Sequence, residues 1–182
     1  KQDCETKAFK RLADKIKEDS EGLILDLRGN TGGLLSNAVF LANLFIDKGK
    51  LVSIVGRNGY RYDVTAKDSN LSIDKPVVIL VDQTSASATE IFAGAMKDWH
   101  KAKIVGTKTY GKGMVQKIIP MPNETGINLT IAKYLTPSGA DINKKGISPD
   151  VKVHFTKNDI ETRTDTQLEM AKDILSKMIS SR

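Results

Sequence analysis

Residues 76–99 read PVVILVDQTSASATEIFAGAMKDW, which is an apolar run followed by a Ser/Thr-rich segment and a second apolar-rich run. The run Pro76–Val81 is apolar at almost every position, which predicts a strand that is buried on both faces of a sheet. The apolar-rich segment that ends at Trp99 predicts a helix, and the polar residues Thr84–Thr89 join it to the strand. A strand, a turn and a helix in this order form the unit from which parallel α/β sheets are built.

The same order of elements occurs earlier in the chain. Gly22–Leu27 is a short apolar run that predicts a strand, the glycine-rich loop Gly29–Gly33 follows it, and Leu34–Phe45 predicts a buried helix. This alternation predicts an α/β layered domain with a largely parallel sheet and some antiparallel additions.

Shorter segments complete the predicted order. Leu51–Val55 and Tyr60–Val64 flank an Asn-Gly turn, which favours a β-hairpin. An amphipathic helix is predicted around Phe9–Ile16, and a terminal helix over residues 165–179, behind a capping-box pattern that runs from Thr164 to Gln167. Further strands are predicted at residues 103–105, 115–121, 127–135 and 151–153.

Composition excludes several classes of protein. A length of 182 residues predicts one domain rather than two, and the net charge is +6. The lysines are spread along the chain and only 5% of the residues are aromatic, so no nucleic-acid surface is predicted. The longest apolar stretch, Ala38–Ile46, is too short for a membrane span, which needs about 20 residues. The single cysteine, Cys4, excludes an internal disulfide and a cysteine-based metal cluster.

Ser87 is the first candidate for chemistry, because it stands where a buried strand turns into its helix. Reactive groups collect at the carboxyl ends of parallel strands, beside the free N–H groups of a helix N-terminus. A serine at this place is suited to attack a substrate while those N–H groups stabilise a negative oxygen. However, Ser87–Glu90 is also an S-x-x-E capping box, which is common at helix starts. Nucleophile and helix cap both stay open as interpretations of Ser87.

A nucleophilic serine needs a base, and histidine is the usual one. His100 and His154 lie in segments without any catalytic motif. Lysine is the alternative base: Lys112 lies between two glycines, which let the backbone hold its amine in a pocket that is shielded from water. Gln116, four residues further on in a predicted strand, is placed to orient that amine. A solvated loop lysine is the competing interpretation of Lys112.

Two glycine loops are candidates for binding an anion. Gly106–Lys112 has the G-x-x-x-x-G-K spacing of a P-loop, but Gly113 replaces the hydroxyl residue that binds magnesium and a strand rather than a helix follows. A nucleotide hydrolase is therefore disfavoured. Gly29–Gly33 is suited to bind a phosphate or an oxyanion through its backbone N–H groups, and it is equally consistent with a simple turn.

Five stretches, taken in sequence order, resemble the C-terminal processing peptidases. They are residues 25–33 (LDLRGNTGG), 85–95 (SASATEIFAGA) and 106–116 (GTKTYGKGMVQ), followed by LTPSG at 135–139 with KGISPD at 145–150. The resemblance covers about residues 22–153. It implies a crotonase/Clp-protease-like α/β core with a largely parallel sheet flanked by helices. We expect residues 1–182 to form a single peptidase core domain.

The resemblance also implies an activity and a set of site residues. It implies a serine endopeptidase with a Ser/Lys dyad, in which Ser87 matches the nucleophile, Lys112 the general base and Gln116 the glutamine that holds the lysine. The oxyanion would be bound by the backbone N–H of Ala88 and by one N–H of the Gly32–Gly33 pair, with Gly33 preferred. No metal and no organic cofactor is implied.

The implied partners are protein or peptide substrates, cleaved in unfolded or C-terminal segments outside the cytoplasm, in a periplasm, cell envelope or lumen. Members of the family usually carry a signal or anchor and a PDZ domain. We expect neither within this chain, so any association with a membrane would come from upstream segments. A non-catalytic ligand- or peptide-binding domain on the same fold is the alternative function. The joint presence of Ser87, Lys112 and Gln116 favours the enzyme.

Overall fold

The computed structural model describes residues 2–67 and 71–182, within which it has five α-helices and eight strands. In the first helix, the side chains of residues 2–6, 8 and 9 lie outside the described set, so the predicted burial of Phe9 is not addressed. The helices are α1 (Gln2–Asp19), α2 (Leu35–Asn43), α3 (Ala88–Asp98), α4 (Lys157–Thr162) and α5 (Thr166–Ser180). The strands are β1 (Leu23–Asp26), β2 (Lys50–Gly56), β3 (Arg61–Thr65), β4 (Val77–Val81), β5 (Lys103–Gly106), β6 (Met114–Pro120), β7 (Gly126–Leu135) and β8 (Val151–Lys152).

A parallel sheet of four strands lies at the centre of the molecule, in the order β1-β4-β5-β8. All five residues of β4 are buried, which confirms the prediction of a strand covered on both faces. Ile79 of β4 lies opposite Leu25 of β1 and Ile104 of β5, so the apolar positions of neighbouring strands are in register.

The antiparallel strands form a sheet of their own, in the order β3-β2-β7-β6. The sequence pattern predicts them only as additions to one largely parallel sheet, so their separation is a difference from that expectation. β2 and β3 form the predicted hairpin, in which Asn58 and Gly59 both have positive φ angles of 62° and 77°. β6 and β7 form a second hairpin, and β6 is one of the two edge strands, with β3 at the other edge. The predicted fold class, an α/β layered core, is confirmed.

Helices cover both faces of the parallel sheet. On one face, α2 and α3 pack against Val77, Ile79 and Val81, and Phe45 contacts Phe92 with ring centroids 6.4 Å apart. On the other face, α5 packs against the alternate residues of β4, since Ala171 joins a cluster with Val78, Leu80 and Val105. Each such buried aliphatic side chain contributes about 1.5–3 kcal/mol relative to exposure. No helix in the described part of the chain is long and apolar enough to span a membrane.

The start of α5 differs from the predicted capping box. Asp165, not Thr164, is the cap, and its carboxylate accepts a hydrogen bond from the Leu168 N–H at 3.0 Å. Gln167 cannot complete a box with Thr164, because its amide donates to the Val153 carbonyl and its side-chain oxygen accepts from Arg28. The short helix α4 was not predicted, although Thr156 and Asp159 form a capping box at its start.

Arg28 connects the loop after β1 to the start of α5. Its guanidinium makes two hydrogen bonds to Asp26, at 2.9 and 2.6 Å, and two to Asp165, at 2.9 and 2.7 Å. A fifth bond runs to Gln167 at 3.0 Å. All five N–H donors of the side chain are therefore used. The hydrogen bonds from Arg28 hold the pKa of Asp165 below its ordinary value.

We expect Asp165→Asn to lower the free energy of unfolding by about 1–3 kcal/mol, because Arg28 loses a charged acceptor and one of the two side-chain oxygens that it binds. Urea unfolding at pH 7 measures the change. Asp173→Asn is the matched control, since Asp173 is an exposed carboxylate on the same helix. A loss no larger than that of the control would contradict the structural role of Asp165.

The same interaction predicts a dependence of stability on pH. The pKa of Asp165 is lowered by folding, so its contribution is complete above the ordinary carboxylate range of about 4 and is lost as the pH falls through the folded pKa. The stability difference between the native chain and Asp165→Asn is therefore expected to shrink below pH 4. A stability difference between the two proteins that stays constant down to pH 2 would contradict this pH dependence.

Candidate functional site

Ser87 lies immediately before α3, at the turn that follows the carboxyl end of β4. Its backbone angles are φ 59° and ψ −118°, in a region that L-residues rarely occupy. Such a conformation costs about 1–3 kcal/mol and persists only where the surrounding structure holds it. The S-x-x-E capping box is present as well, and the Ser87 N–H donates to the Glu90 carboxylate at 2.9 Å. Ser87 is therefore a cap in a strained turn that leaves its side chain half-buried.

Glu90 joins the Ser87 turn to the loop that carries Lys112. The carboxylate is fully buried, and one of its oxygens, Oε2, accepts the N–H of Ser87 at 2.9 Å and the N–H of Lys112 at 2.8 Å. The other oxygen, Oε1, accepts from the Gly111 N–H at 2.6 Å and from the Thr109 hydroxyl at 2.5 Å. A single oxygen atom thus links the backbones of the two residues that the sequence pairs as nucleophile and base.

The sequence indicates only one role for Glu90, that of a partner in a helix cap. The available signal was its position, because a carboxylate followed directly by the apolar run Ile91–Ala95 is set to be buried. A buried carboxylate requires several donors, and these come from a loop about 20 residues further along the chain.

The loop from Gly106 to Gly113 is fixed on both sides. The Tyr110 N–H donates to the carbonyl of Ser85 at 3.0 Å, next to the Ser87 turn. On the other side, the Lys144 N–H donates to the Gly111 carbonyl at 2.8 Å. Gly146 lies close to Thr109 of this loop. A Cβ added at Gly146 would be only 2.3 Å from the Thr109 carbonyl oxygen. This contact packs the stretch at 145–150 against the Lys112 loop.

The loop geometry contradicts a phosphate site. β6 begins at Met114, so a strand follows Lys112 where a P-loop requires a helix. In addition, the N–H groups of Gly111 and Lys112 are already bound to the Glu90 carboxylate. A loop that encloses a carboxylate is not available to a phosphate group.

The side chains of Lys112 and Gln116 differ from their expected arrangement. Both are exposed, so the predicted pocket that shields the Lys112 amine from water is not formed. Within residues 2–67 and 71–182, no hydrogen bond joins Lys112 to the side chain of Ser87 or to Gln116. The structure fixes the backbone of Lys112 and leaves its amine in contact with solvent.

Asn30 shapes the glycine loop beside Ser87. Its carbonyl accepts the Ala86 N–H at 3.0 Å, and its side-chain oxygen accepts the Gly32 N–H at 2.9 Å and the Thr89 hydroxyl at 3.1 Å. Gly32 has φ 99°, and an added Cβ would lie 2.6 Å from the Ala86 carbonyl oxygen and 2.9 Å from the Ser87 Cβ. The loop therefore touches the Ser87 turn at a position where only glycine fits.

The predicted oxyanion donors differ in whether their N–H groups already make a hydrogen bond. Gly32 N–H is occupied by Asn30, whereas the N–H groups of Gly33 and Ala88 have no hydrogen-bond partner among the described residues. Both residues line a cavity of about 230 Å³, whose apolar walls include Leu41 and Phe92. This geometry favours Gly33 over Gly32 as a donor to a bound oxygen.

Neither histidine is among the described residues that line the cavities next to the Ser87 turn. His100 follows α3, His154 follows β8, and both are exposed. No group of three or more His, Cys, Asp or Glu side chains in the described ranges is arranged to hold a metal ion.

The sequence pattern of peptidase family S41 matches residues 2–153. The chain belongs to peptidase family S41. It is 43% identical over 148 residues to the chloroplastic C-terminal processing peptidase of Tetradesmus obliquus, covering 80% of this chain and 31% of that protein. It is 42% identical over 151 residues to the carboxy-terminal processing protease CtpA of Bacillus subtilis (strain 168), covering 80% and 32% respectively.

Solved structures agree with the S41 assignment. The photosystem II D1 C-terminal processing protease superimposes with a TM-score of 0.75 at 38% identity, over 82% of this chain and 39% of that one. Mature CPAF in complex with lactacystin has a TM-score of 0.82 at 19% identity, over 97% and 48%, which shows a shared fold. The S41 chain spans about a third of the length of the two curated relatives.

Gly32 and Gly33 of this S41 core give a matched test of the contact between the glycine loop and the Ser87 turn. Gly32→Ala is expected to lower the free energy of unfolding by about 1–3 kcal/mol, because its Cβ meets the Ser87 turn and its φ is 99°. Gly33→Ala is expected to change it by less than about 0.5 kcal/mol, since no heavy atom of a described residue lies within 4 Å of the added Cβ. Chemical unfolding of both variants checks this; equal losses would contradict the close approach at Gly32.

Glu90→Gln tests the link between the two loops. The amide keeps the size of the side chain but replaces one acceptor oxygen by a donor, which leaves two buried N–H or O–H groups unpaired. We expect a loss of about 2–4 kcal/mol in the free energy of unfolding and faster amide exchange at Gly111 and Lys112. Glu169→Gln, an exposed change on α5, is the control. Unchanged exchange rates in Glu90→Gln would refute the link.

Proposed function

We propose that this chain is the catalytic core of a serine endopeptidase that cleaves unfolded or C-terminal segments of proteins through a Ser/Lys dyad. The observation that supports the proposal best is the Glu90 Oε2 atom, which accepts both the Ser87 N–H and the Lys112 N–H. It brings the backbones of a strained serine and a loop lysine together from sequence positions 25 residues apart. The names of the relatives from Tetradesmus obliquus and Bacillus subtilis support the same reaction class.

In the proposed reaction, the neutral amine of Lys112 accepts the hydroxyl proton as the Ser87 Oγ attacks a peptide carbonyl. The C–N bond of the tetrahedral intermediate then breaks, and Lys112 returns the proton to the leaving amine. Water hydrolyses the acyl-enzyme with the same lysine as base. Gln116 is the proposed residue that orients the amine, because its amide adds no charge.

The negative oxygen of the intermediate would accept hydrogen bonds from the N–H groups of Ala88 and Gly33. Both are unpaired among the described residues, and Ala88 and Gly33 line the same cavity. One such donor contributes about 10²–10³ in rate. The apolar walls of this cavity are suited to the side chain on the acyl side of the scissile bond.

The exposure of Lys112 in the free chain requires a further step. Water around the exposed Lys112 amine competes with the Ser87 hydroxyl for hydrogen bonds, so the amine must lose solvent before it acts. We propose that bound substrate supplies this cover. The long, flexible side chain of Lys112 is free to reach toward Ser87 because no hydrogen bond to a described residue holds its amine.

The dyad is tested by mass spectrometry of a disordered protein such as casein after incubation with the chain. Ser87→Ala and Lys112→Ala are each expected to lower kcat/KM by at least about 10³-fold, since the two residues act as one unit. Lys108→Ala, an exposed lysine of the same loop, is the control and should keep full activity. Substantial cleavage by Lys112→Ala would exclude the dyad.

The exposure of Lys112 also favours a second candidate, a peptide-binding domain without catalysis. The same experiment separates the two. A chain that binds casein fragments in calorimetry but releases no new termini is a binding domain, and one that releases them only when Ser87 is present is the peptidase. We place the reaction outside the cytoplasm by analogy with the family.

A further inference from the structure

A second cavity, of about 590 Å³, adjoins the residue before Ser87, whereas the cavity with the free N–H groups adjoins the residue after it. It is lined by Ala86, which precedes Ser87, and by Gly111 and Lys112 of the base loop. Tyr110 and Met114 form further parts of its wall. The two chain neighbours of Ser87 therefore line different cavities: Ala88 lines the one with the proposed oxyanion donors, and Ala86 lines the one with the proposed base.

The chemistry of acyl transfer gives the two cavities different occupants. The carbonyl oxygen of the substrate must face the N–H donors, which places the acyl side of the scissile bond in the smaller cavity. The leaving amine must lie near the group that protonates it, which is Lys112. The residue that follows the scissile bond is therefore directed toward the larger cavity.

The lining of the larger cavity indicates which side chain it accepts. Met114 and Tyr110 are 38% and 67% exposed, although both are large and apolar or aromatic. The described residues that line this cavity include no carboxylate, while Lys112 and Lys144 contribute positive charge. Lys144 is held there in a left-handed conformation, φ 58°, by the bond from its N–H to Gly111. The surface suits a large apolar side chain and disfavours a cationic one.

We propose that this cavity binds the residue after the scissile bond, with a preference for large apolar or aromatic side chains, and that this side chain covers Lys112. The inference rests on the proposed function and deepens it by naming a substrate class. An apolar side chain packed between Tyr110 and Met114 removes water from the Lys112 amine, which lines the same cavity. The preference is therefore expected in kcat and not only in KM.

The test uses a set of peptides that are identical except for the residue after the scissile bond, which is Phe, Leu, Ala, Lys or Glu. With the native chain, we expect kcat for Phe and Leu to exceed that for Ala at least about tenfold, and Lys to be the poorest residue. Tyr110→Ala and Met114→Ala should each reduce the ratio of Phe to Ala by about threefold or more. Lys144→Gln should reduce the discrimination against Lys relative to Ala.

Tyr62→Ala is the matched control, because Tyr62 is an exposed tyrosine on β3 that does not line the cavity. The ratio of kcat for the Phe peptide to kcat for the Ala peptide should be the same in this variant as in the native chain. Cleavage with the same kcat for all five residues, or a ratio that Tyr110→Ala and Met114→Ala both leave unchanged, would overturn the subsite while leaving the peptidase intact. Cleavage of none of the peptides, and none of casein, would overturn the proposed function and the subsite with it.

Discussion

The hydrogen bonds of the Glu90 carboxylate hold the rest of the site together. The carboxylate is fully buried and accepts four hydrogen bonds, from Ser87, Thr109, Gly111 and Lys112. A buried carboxylate without such donors would be strongly unfavourable, so the two loops and the helix stabilise one another. The positive φ of Ser87 is maintained within this arrangement. A helix cap and a site contact are thus the same interaction, and the two interpretations of the S-x-x-E sequence are compatible.

Close backbone approach is the second constraint around Ser87. Gly32 touches the turn at Ala86 and Ser87, and Gly146 touches the Lys112 loop at Thr109, both at distances that exclude a side chain. The glycine loop is fixed through Asn30, which bonds to Ala86, Gly32 and Thr89. The same loop begins at Arg28, whose five hydrogen bonds reach the start of α5. The site is therefore coupled to the terminal helix, which lies beyond the segment that matches the S41 family.

The backbone of Lys112, the proposed base, is held by hydrogen bonding, whereas its side chain is exposed. The N–H of Lys112 is bound within a buried network, while its side chain is exposed. This division fits a site that is completed by its substrate: the fold sets where the lysine begins, and an occupant of the larger cavity determines how much water reaches its amine. The open face of that cavity, with Tyr110 and Met114 exposed, is consistent with a surface that an extended chain covers.

Local sequence patterns predicted the order of the elements except for α4, and they indicated the candidate residues. Apolar runs such as Pro76–Val81 and the periodicity of the helices are local properties, and they predicted the parallel sheet, the Asn-Gly hairpin and both terminal helices. The separate antiparallel sheet, the cap at Asp165 and the exposure of Lys112 depend on which strands and side chains meet across the chain. Glu90 shows the reason most clearly. Its spacing from Ser87 is visible in the sequence, but its donors at Gly111 and Lys112 are about 20 residues away, and only tertiary packing brings their N–H groups to one carboxylate.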